Sequence, residues 1–275
     1  MNLSQIELLR ILQETQLNLS KAAEKMHVVQ SAVSRQLQLF EDELGSPLFK
    51  RSGKKLIALT PMGQRVMGEV TTICQAKLNI HKIAADFLDS NKGTIYIATT
   101  HTQAKYFLSK PIQRFHKKYP GVKVYMVQAS PEELIHQLHI HKADIAICTE
   151  KVDAESDLVT RQCYEWHHCV VMHKNHPLCN GEITYQRLAN YPILTYSFGF
   201  TGRSNIETAF KKSGCELDIV LAAADTDVIK TYVHLGMGVG IIAGMAYDAD
   251  IDKDFLARDL SHLIPVSMTI IAYLK

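Results

Sequence analysis

Gln30-Ser31-Ala32-Val33-Ser34-Arg35-Gln36-Leu37-Gln38-Leu39-Phe40-Glu41-Asp42-Glu43-Leu44-Gly45 is the stretch whose reading decides the fold. Val33, Leu37, Phe40 and Leu44 recur at spacings of four, three and four. They form one apolar stripe of a helix from about Gln30 to Leu44 that stops at Gly45. The opposite face carries Gln30, Ser31, Ser34, Arg35 and Gln38. In the major groove Arg reads guanine and Gln reads adenine, and hydroxyls reach bases and phosphates. A polar helix face alone is an ordinary solvated surface, so its neighbours must give it meaning.

Upstream, Ser4 followed by Glu7 predicts a capped helix start, with Leu3, Ile6, Leu9 and Leu12 as its stripe. Ser20 is expected to cap a short second helix whose Ala22, Ala23 and Met26 permit close packing. A short helix, a tight turn and a polar-faced helix make the order of a helix-turn-helix. Downstream, Leu48 to Ile57 reads as a hairpin with its turn at Ser52-Gly53. Of the six residues 50–55, four are basic (Lys50, Arg51, Lys54 and Lys55) and none is acidic. Such a wing lies along phosphates and adds affinity that falls with salt.

Thr60-Pro61 then predicts a new helix start. Val66, Val70, Ile73, Ile80, Ala84 and Phe87 form a nearly heptad stripe, interrupted by Lys77. A helix of roughly 28 residues spans about 42 Å. That is too long to bury its stripe within its own small domain, so a coiled-coil-like dimer contact is expected. Asp89-Ser90-Asn91-Lys92-Gly93 reads as a hinge.

From Thr94 the pattern alternates between strand and helix. Strands are expected at Thr94 to Ala98, Val122 to Val127 and Asp144 to Cys148, with helices at Ala104 to Lys117 and from Ser130-Pro131. The class is α/β with a mostly parallel sheet. A similar alternation from about Cys163 predicts a second α/β subdomain and a cleft between the two. In such sheets ligands bind where strands end and helices begin. Thr99 to Gln103, Thr149, and Thr201 to Ser204 stand at three such junctions. Hydroxyls beside the free N–H groups of a helix start suit a small anion or carboxylate.

The motifs together resemble a known family. Ala22-Ala23, Gln30 to Leu37, Phe40-Glu41, Leu44-Gly45, Leu48-Phe49, Arg51 and Leu59-Thr60-Pro61-x-Gly63 resemble the LysR-type winged helix-turn-helix. Ala98 to Ala104, Phe198 to Ser204 and Asp225 to Val233 are similar to its CysB-like branch, and the resemblance covers essentially the whole chain. It implies a winged helix-turn-helix over residues 1–60, a linker helix over 61–92 and a periplasmic-binding-protein-like effector domain over 93–275. Subdomain I would comprise about 93–160 and 265–275, and subdomain II about 161–264. It further implies regulation of sulfur assimilation or cysteine biosynthesis genes. The partners it implies are promoter DNA, an acetylserine or sulfur oxyanion effector and a homodimer or homotetramer, with RNA polymerase as a further one. It carries over Thr100, Thr102, Gln103, Thr149 and Thr201 as effector contacts. Two departures stand out. Val29 replaces the Ser or Thr expected before Gln30, so the recognition helix loses a cap worth on the order of 1 kcal/mol. Related proteins also continue into a further helix after the strand expected from Val266 to Leu274, whereas this sequence ends at Lys275.

Composition narrows the alternatives. The formal net charge of +2 makes any nucleic-acid signal a local one. No apolar run approaches a membrane span and the N-terminus lacks a signal-peptide pattern, so a cytoplasmic protein is expected. The six cysteines are dispersed, which suits reduced thiols. Cys163, His167, His168 and Cys169 leave open a regulator sensing metal or redox state. Alternation along one strand from 163 to 172 would divide them between faces, and their spacing fits no standard zinc pattern. An enzyme is the remaining alternative, but G-x-S-x-G, H-E-x-x-H and Walker motifs are lacking. No cofactor is expected. Gly236-Met237-Gly238-Val239-Gly240 lacks the dinucleotide fingerprint and reads as a tight turn into a strand.

Overall fold

The computed structural model describes residues 1–88, 92–149 and 157–275. It forms two compact units, Met1–Asp89 and Ser90–Lys275.

The first unit contains α1 (Leu3–Glu14), α2 (Leu19–Lys25), α3 (Gln30–Leu44), a hairpin of β1 (Phe49–Ser52) and β2 (Lys55–Leu59), and α4 (Pro61–Leu88). Its core gathers Ile6, Leu9, Leu12, Ala22, Val33, Leu37 and Phe40. Both helix starts lie two residues before the serines expected to cap them. At α1, Asn2 and Gln5 form the capping box: the Gln5 N–H donates to Asn2 Oδ1 at 3.0 Å and the Asn2 N–H to Gln5 Oε1 at 2.9 Å. At α2, Asn18 accepts from the Lys21 N–H at 3.1 Å. Starting there turns Leu19, Ala22 and Ala23 inward on one face. Val29 stands at the N-cap of α3 with no side-chain cap among the described residues, as the sequence implies. The hairpin turns at Gly53-Lys54, one residue later than expected, because Ser52 pairs with Lys55 and Gly53 takes a φ of +58°.

Thr60 does cap α4, accepting from the Gly63 N–H at 3.0 Å. The stripe along α4 divides, which corrects the expectation for the linker. Met67, Val70 and Cys74 are buried and Val66 and Ile73 pack beside them, so this unit covers the first half itself, largely with α1. Leu78, Ile80 and Ile83 are exposed, as is Ala84. The side chain of Phe87 and hinge residues 89–91 lie outside the described residues.

The second unit holds two five-stranded sheets. The first combines β3 (Gly93–Thr99), β4 (Val122–Gln128), β5 (Ile145–Thr149), β6 (Leu158–Trp166) and β12 (Ser267–Leu274) in the order β4-β3-β5-β12-β6. Its helices are α5 (Ser109–Lys118) and α6 (Pro131–His139). Strand β3 is parallel to β4 and β5, and β12 runs antiparallel to β5 and β6. The second combines β7 (His168–His173), β8 (Ile193–Tyr196), β9 (Ile219–Ala223), β10 (Val239–Ala243) and β11 (Phe255–Asp259) in the order β11-β7-β10-β8-β9. Helices α7 (Tyr185–Ala189), α8 (Thr201–Ser213) and α9 (Thr226–His234) connect these strands. Val170 and Met172 join the core on one face of this sheet, Cys169 and Val171 that on the other.

Two expectations are corrected here. The segment 163–172 is not one strand. The chain leaves the first sheet after Trp166, passes His167 and enters the second at His168. All of β6 therefore belongs to subdomain I, and the boundary lies near 167 instead of 160. The helix expected from Ala104 to Lys117 is also divided. A π-helical turn over Gln103–Phe107, in which the Leu108 N–H donates to Gln103 O, precedes α5. Pro111 then falls in the first turn of α5, where its missing N–H leaves no intrahelical bond unmade. Among the described residues no helix is long and apolar enough to cross a membrane.

Candidate functional site

In the first unit, packing of Val33, Leu37 and Phe40 turns the other face of α3 outward. Gln30, Ser31, Arg35 and Gln38 are exposed, and Ser34 is half-buried. The wing presents Lys50, Lys54 and Lys55 to solvent. Arg51 is exposed as well, and it also has a protein partner. Its Nη2 donates to Glu41 Oε2 at 2.6 Å. The other Glu41 oxygen accepts from the backbone N–H groups of Leu48 and Phe49, at 2.7 and 3.2 Å. Glu41 thus ties the end of α3 to the start of the wing, and Arg51 completes that tie. Sequence reasoning missed this carboxylate. Its signal was an acidic residue beside Phe40 in the stripe of a buried helix, which calls for partners.

In the second unit, Thr100, Thr102, Gln103, Thr149 and Thr201 come together around one cavity of about 30 Å³. The first three follow β3, Thr149 ends β5 and Thr201 opens α8. Gly202, within the expected junction, also lines it, and Trp166, Tyr196, Phe200 and Ala243, which the sequence did not single out, complete most of the wall. The cavity lies between the two sheets, and hydrogen bonds already join its sides. Thr149 donates to Thr201, and the Thr102 and Thr226 hydroxyls are 2.9 Å apart. Gln103 Nε2 donates to Thr269 at 2.9 Å, and its Oε1 accepts from Tyr164. Phe200 gives α8 no side-chain cap. Among the described residues the N–H groups of Thr201 and Gly202 make no bond, so a helix start faces the cavity with donors to offer.

Beside the cavity a charged network also joins the subdomains. Lys105 and Tyr106 both donate to Asp227, each at 2.5 Å. Burial pushes the Asp227 carboxyl up, but those two hydrogen bonds outweigh it and hold the group below its ordinary value. Lys230 is buried between both carboxylate oxygens of Asp252, at 3.0 Å, and the Ala246 carbonyl. The suggested metal or redox residues are dispersed. Cys163 is exposed on β6, while Cys169 is buried on β7 with its thiol pushed up to about 12 by burial. Among the described residues no three His, Cys, Asp or Glu side chains gather as a metal would require.

Comparison with known proteins agrees with both halves of this geometry. Residues 3–64 match the bacterial regulatory helix-turn-helix protein, lysR family, and residues 88–275 match the LysR substrate binding domain. The chain is 42% identical to the HTH-type transcriptional regulator SsuR of Burkholderia cenocepacia, over 98% of this chain and 88% of that protein. It is also 42% identical to the HTH-type transcriptional regulator CysB of Haemophilus influenzae, over 94% of this chain and 80% of that one. The crystal structure of the cofactor-binding domain of the Cbl transcriptional regulator superposes with a TM-score of 0.64 at 36% identity, covering 67% of this chain and 81% of that one. Full-length CbnR in complex with its target DNA shares the fold at a TM-score of 0.76 and 17% identity, over 100% of this chain and 94% of that one. The chain is a transcriptional regulator and belongs to the LysR family of bacterial helix-turn-helix proteins.

Proposed function

We propose that this regulator reads promoter DNA with α3 and the wing, and that a small sulfur-metabolism effector bound between its two sheets controls it. Gln30, Ser31, Ser34, Arg35 and Gln38 would read the major groove, while Lys50, Lys54 and Lys55 would follow phosphates. Arg51 would serve the reading head by holding Glu41. The observation that carries the effector reading is the convergence of Thr100, Thr102, Gln103, Thr149 and Thr201 on one cavity at the start of α8. Neutral donors there suit an acetylserine or a sulfur oxyanion, the classes implied by the CysB-like motifs. Sulfur assimilation and cysteine biosynthesis genes in the cytoplasm are the matching role. The exposed Leu78, Ile80 and Ile83 on α4 support assembly as a dimer or tetramer through that helix.

The Thr149–Thr201 bond joins the two sides of the cavity, so an effector that takes those hydroxyls would part it and move one subdomain relative to the other. It shifts the protein towards whichever arrangement it binds more tightly. With the full chain, an acetylserine or thiosulfate at about 100 times its Kd is expected to raise the melting temperature of the effector unit by about 5–10 °C. Thr100→Val and Thr201→Val are each expected to remove that shift and leave DNA affinity measurable. Absence of binding by calorimetry at millimolar concentration of acetylserine, sulfate and thiosulfate would sink the cavity assignment.

A further inference from the structure

Among the described residues five buried side-chain polar atoms have neither a hydrogen-bond nor an ion-pair partner. Three of them lie at the cavity wall: Nε1 of Trp166, which lines it, and both ring nitrogens of His168, which packs against Trp166 and Gly202. Buried polar groups are almost always bonded, so such a cluster needs an explanation. Most of the other polar side chains of the wall already have a protein partner, whereas Thr100, among the described residues, only accepts, from the Gln103 N–H at 3.4 Å. Thr102 and Tyr196 meet Thr226, Gln103 meets Thr269 and Tyr164, and Thr149 meets Thr201.

His168 is fully buried at the start of β7, opposite Ala243 on β10. Its ring centre lies 4.9 Å from that of Trp166. Its Nε2 is 3.2 Å from where a Cβ on Gly202 would stand. Trp166, Gly202 and Ala243 all line the cavity, so the His168 ring stands directly behind that wall. The Leu260 N–H donates to the His168 carbonyl at 2.9 Å and fixes the backbone there. Burial, followed by the charge of neighbouring His167, pushes His168 down to about 4. At neutral pH it therefore carries one N–H donor and one acceptor nitrogen, whereas Trp166 can only donate.

We propose that His168 is a specificity-determining residue of this cavity: its acceptor nitrogen favours an effector that brings an N–H or O–H donor over a bare oxyanion. The inference rests on the reading of the cavity as the effector site. An oxyanion such as sulfate brings acceptors only at neutral pH. It can satisfy Trp166, the start of α8 and one nitrogen of His168, and it leaves the other nitrogen unmet. A ligand with both kinds of group satisfies the whole wall.

The test is titration calorimetry on the full chain with two probes, N-acetylserine, which carries amide and hydroxyl donors, and sulfate, which carries none. The wild type is expected to bind N-acetylserine at least about tenfold more tightly, the factor that one well-made hydrogen bond supplies. His168→Phe should lose that preference by weakening N-acetylserine about tenfold and sulfate less than about twofold. His168→Asn, which keeps a donor and an acceptor, should restore part of it. His168→Leu gives the same reading where Phe disturbs folding. Thr100→Val should weaken both probes alike. A His168 variant that binds both probes as the wild type does, or weakens both equally, overturns the inference alone, as does a wild type that prefers sulfate. A wild type that binds neither probe overturns the inference and the cavity reading together.

Discussion

Replacing Glu41 by alanine is expected to destabilise the DNA-reading unit by on the order of 3 kcal/mol. The Arg51 partner is partly solvated, so the ion pair itself contributes little of this. Most of the loss comes from the N–H groups of Leu48 and Phe49, both on buried residues, which lose the Oε1 atom they share. The wing loses its attachment to α3 at the same point, and Arg51 is set free beside it. DNA affinity should fall with the stability. Glu41→Gln keeps an acceptor at Oε1 and should recover most of the stability. Denaturant unfolding of the three proteins checks this, and an alanine variant as stable as the wild type would show that Glu41 does not hold the wing.

Gly238→Ala is expected to be as damaging in the other unit. Gly238 has a φ of +153°, which L side chains rarely adopt, and a Cβ there would lie 2.2 Å from Pro192 O. The same carbonyl accepts from the Val239 N–H at 2.9 Å, the bond that sets β10 beside β8. The methyl group must push that carbonyl away, so strain and a broken register bond add. The cost is on the order of 3 kcal/mol, or a fall of about 6–12 °C in the melting of the effector unit. Scanning calorimetry should show this transition lowered and that of the reading unit unchanged. An unaltered effector transition would contradict the account of this turn.

Residue patterns carried much of this architecture. The stripe of α3, the Thr60-Pro61 start, the Ser130-Pro131 start and the glycine turn into β10 each depend on local chemistry, so a short window reveals them. Helix starts were less legible where several residues could cap. Asn2 and Ser4 both precede an apolar stripe, and the burial of Leu19 chose Asn18 over Ser20. The division at His167 was invisible because β6 and β7 are both extended. Which sheet a strand joins depends on β12 and β10, both far along the chain. The cavity divides in the same way. Its hydroxyl and amide wall was legible because each residue stands at a strand-to-helix junction. Trp166 and Tyr196 were not, since an aromatic residue at a strand end is ordinary until the opposite subdomain faces it. Glu41 illustrates the same limit: its tie to Arg51 and to the start of the wing shows only once the hairpin is folded against α3.

The proposed recognition by the exposed face of α3 and the proposed phosphate contact by the wing make different demands on DNA sequence. Arg35 should choose bases, whereas Lys54 should weaken or strengthen all sequences alike. The most direct test is selection of binding sites by the full chain from random duplex DNA. The wild type is predicted to enrich a motif of two half-sites about one helical turn, or a multiple of it, apart. Lys54→Ala should enrich the same motif with a salt slope lower by about one unit, and Arg35→Ala should relax the choice of base within each half-site. Enrichment of no motif by the wild type, or of an unchanged motif by Arg35→Ala, would contradict the account.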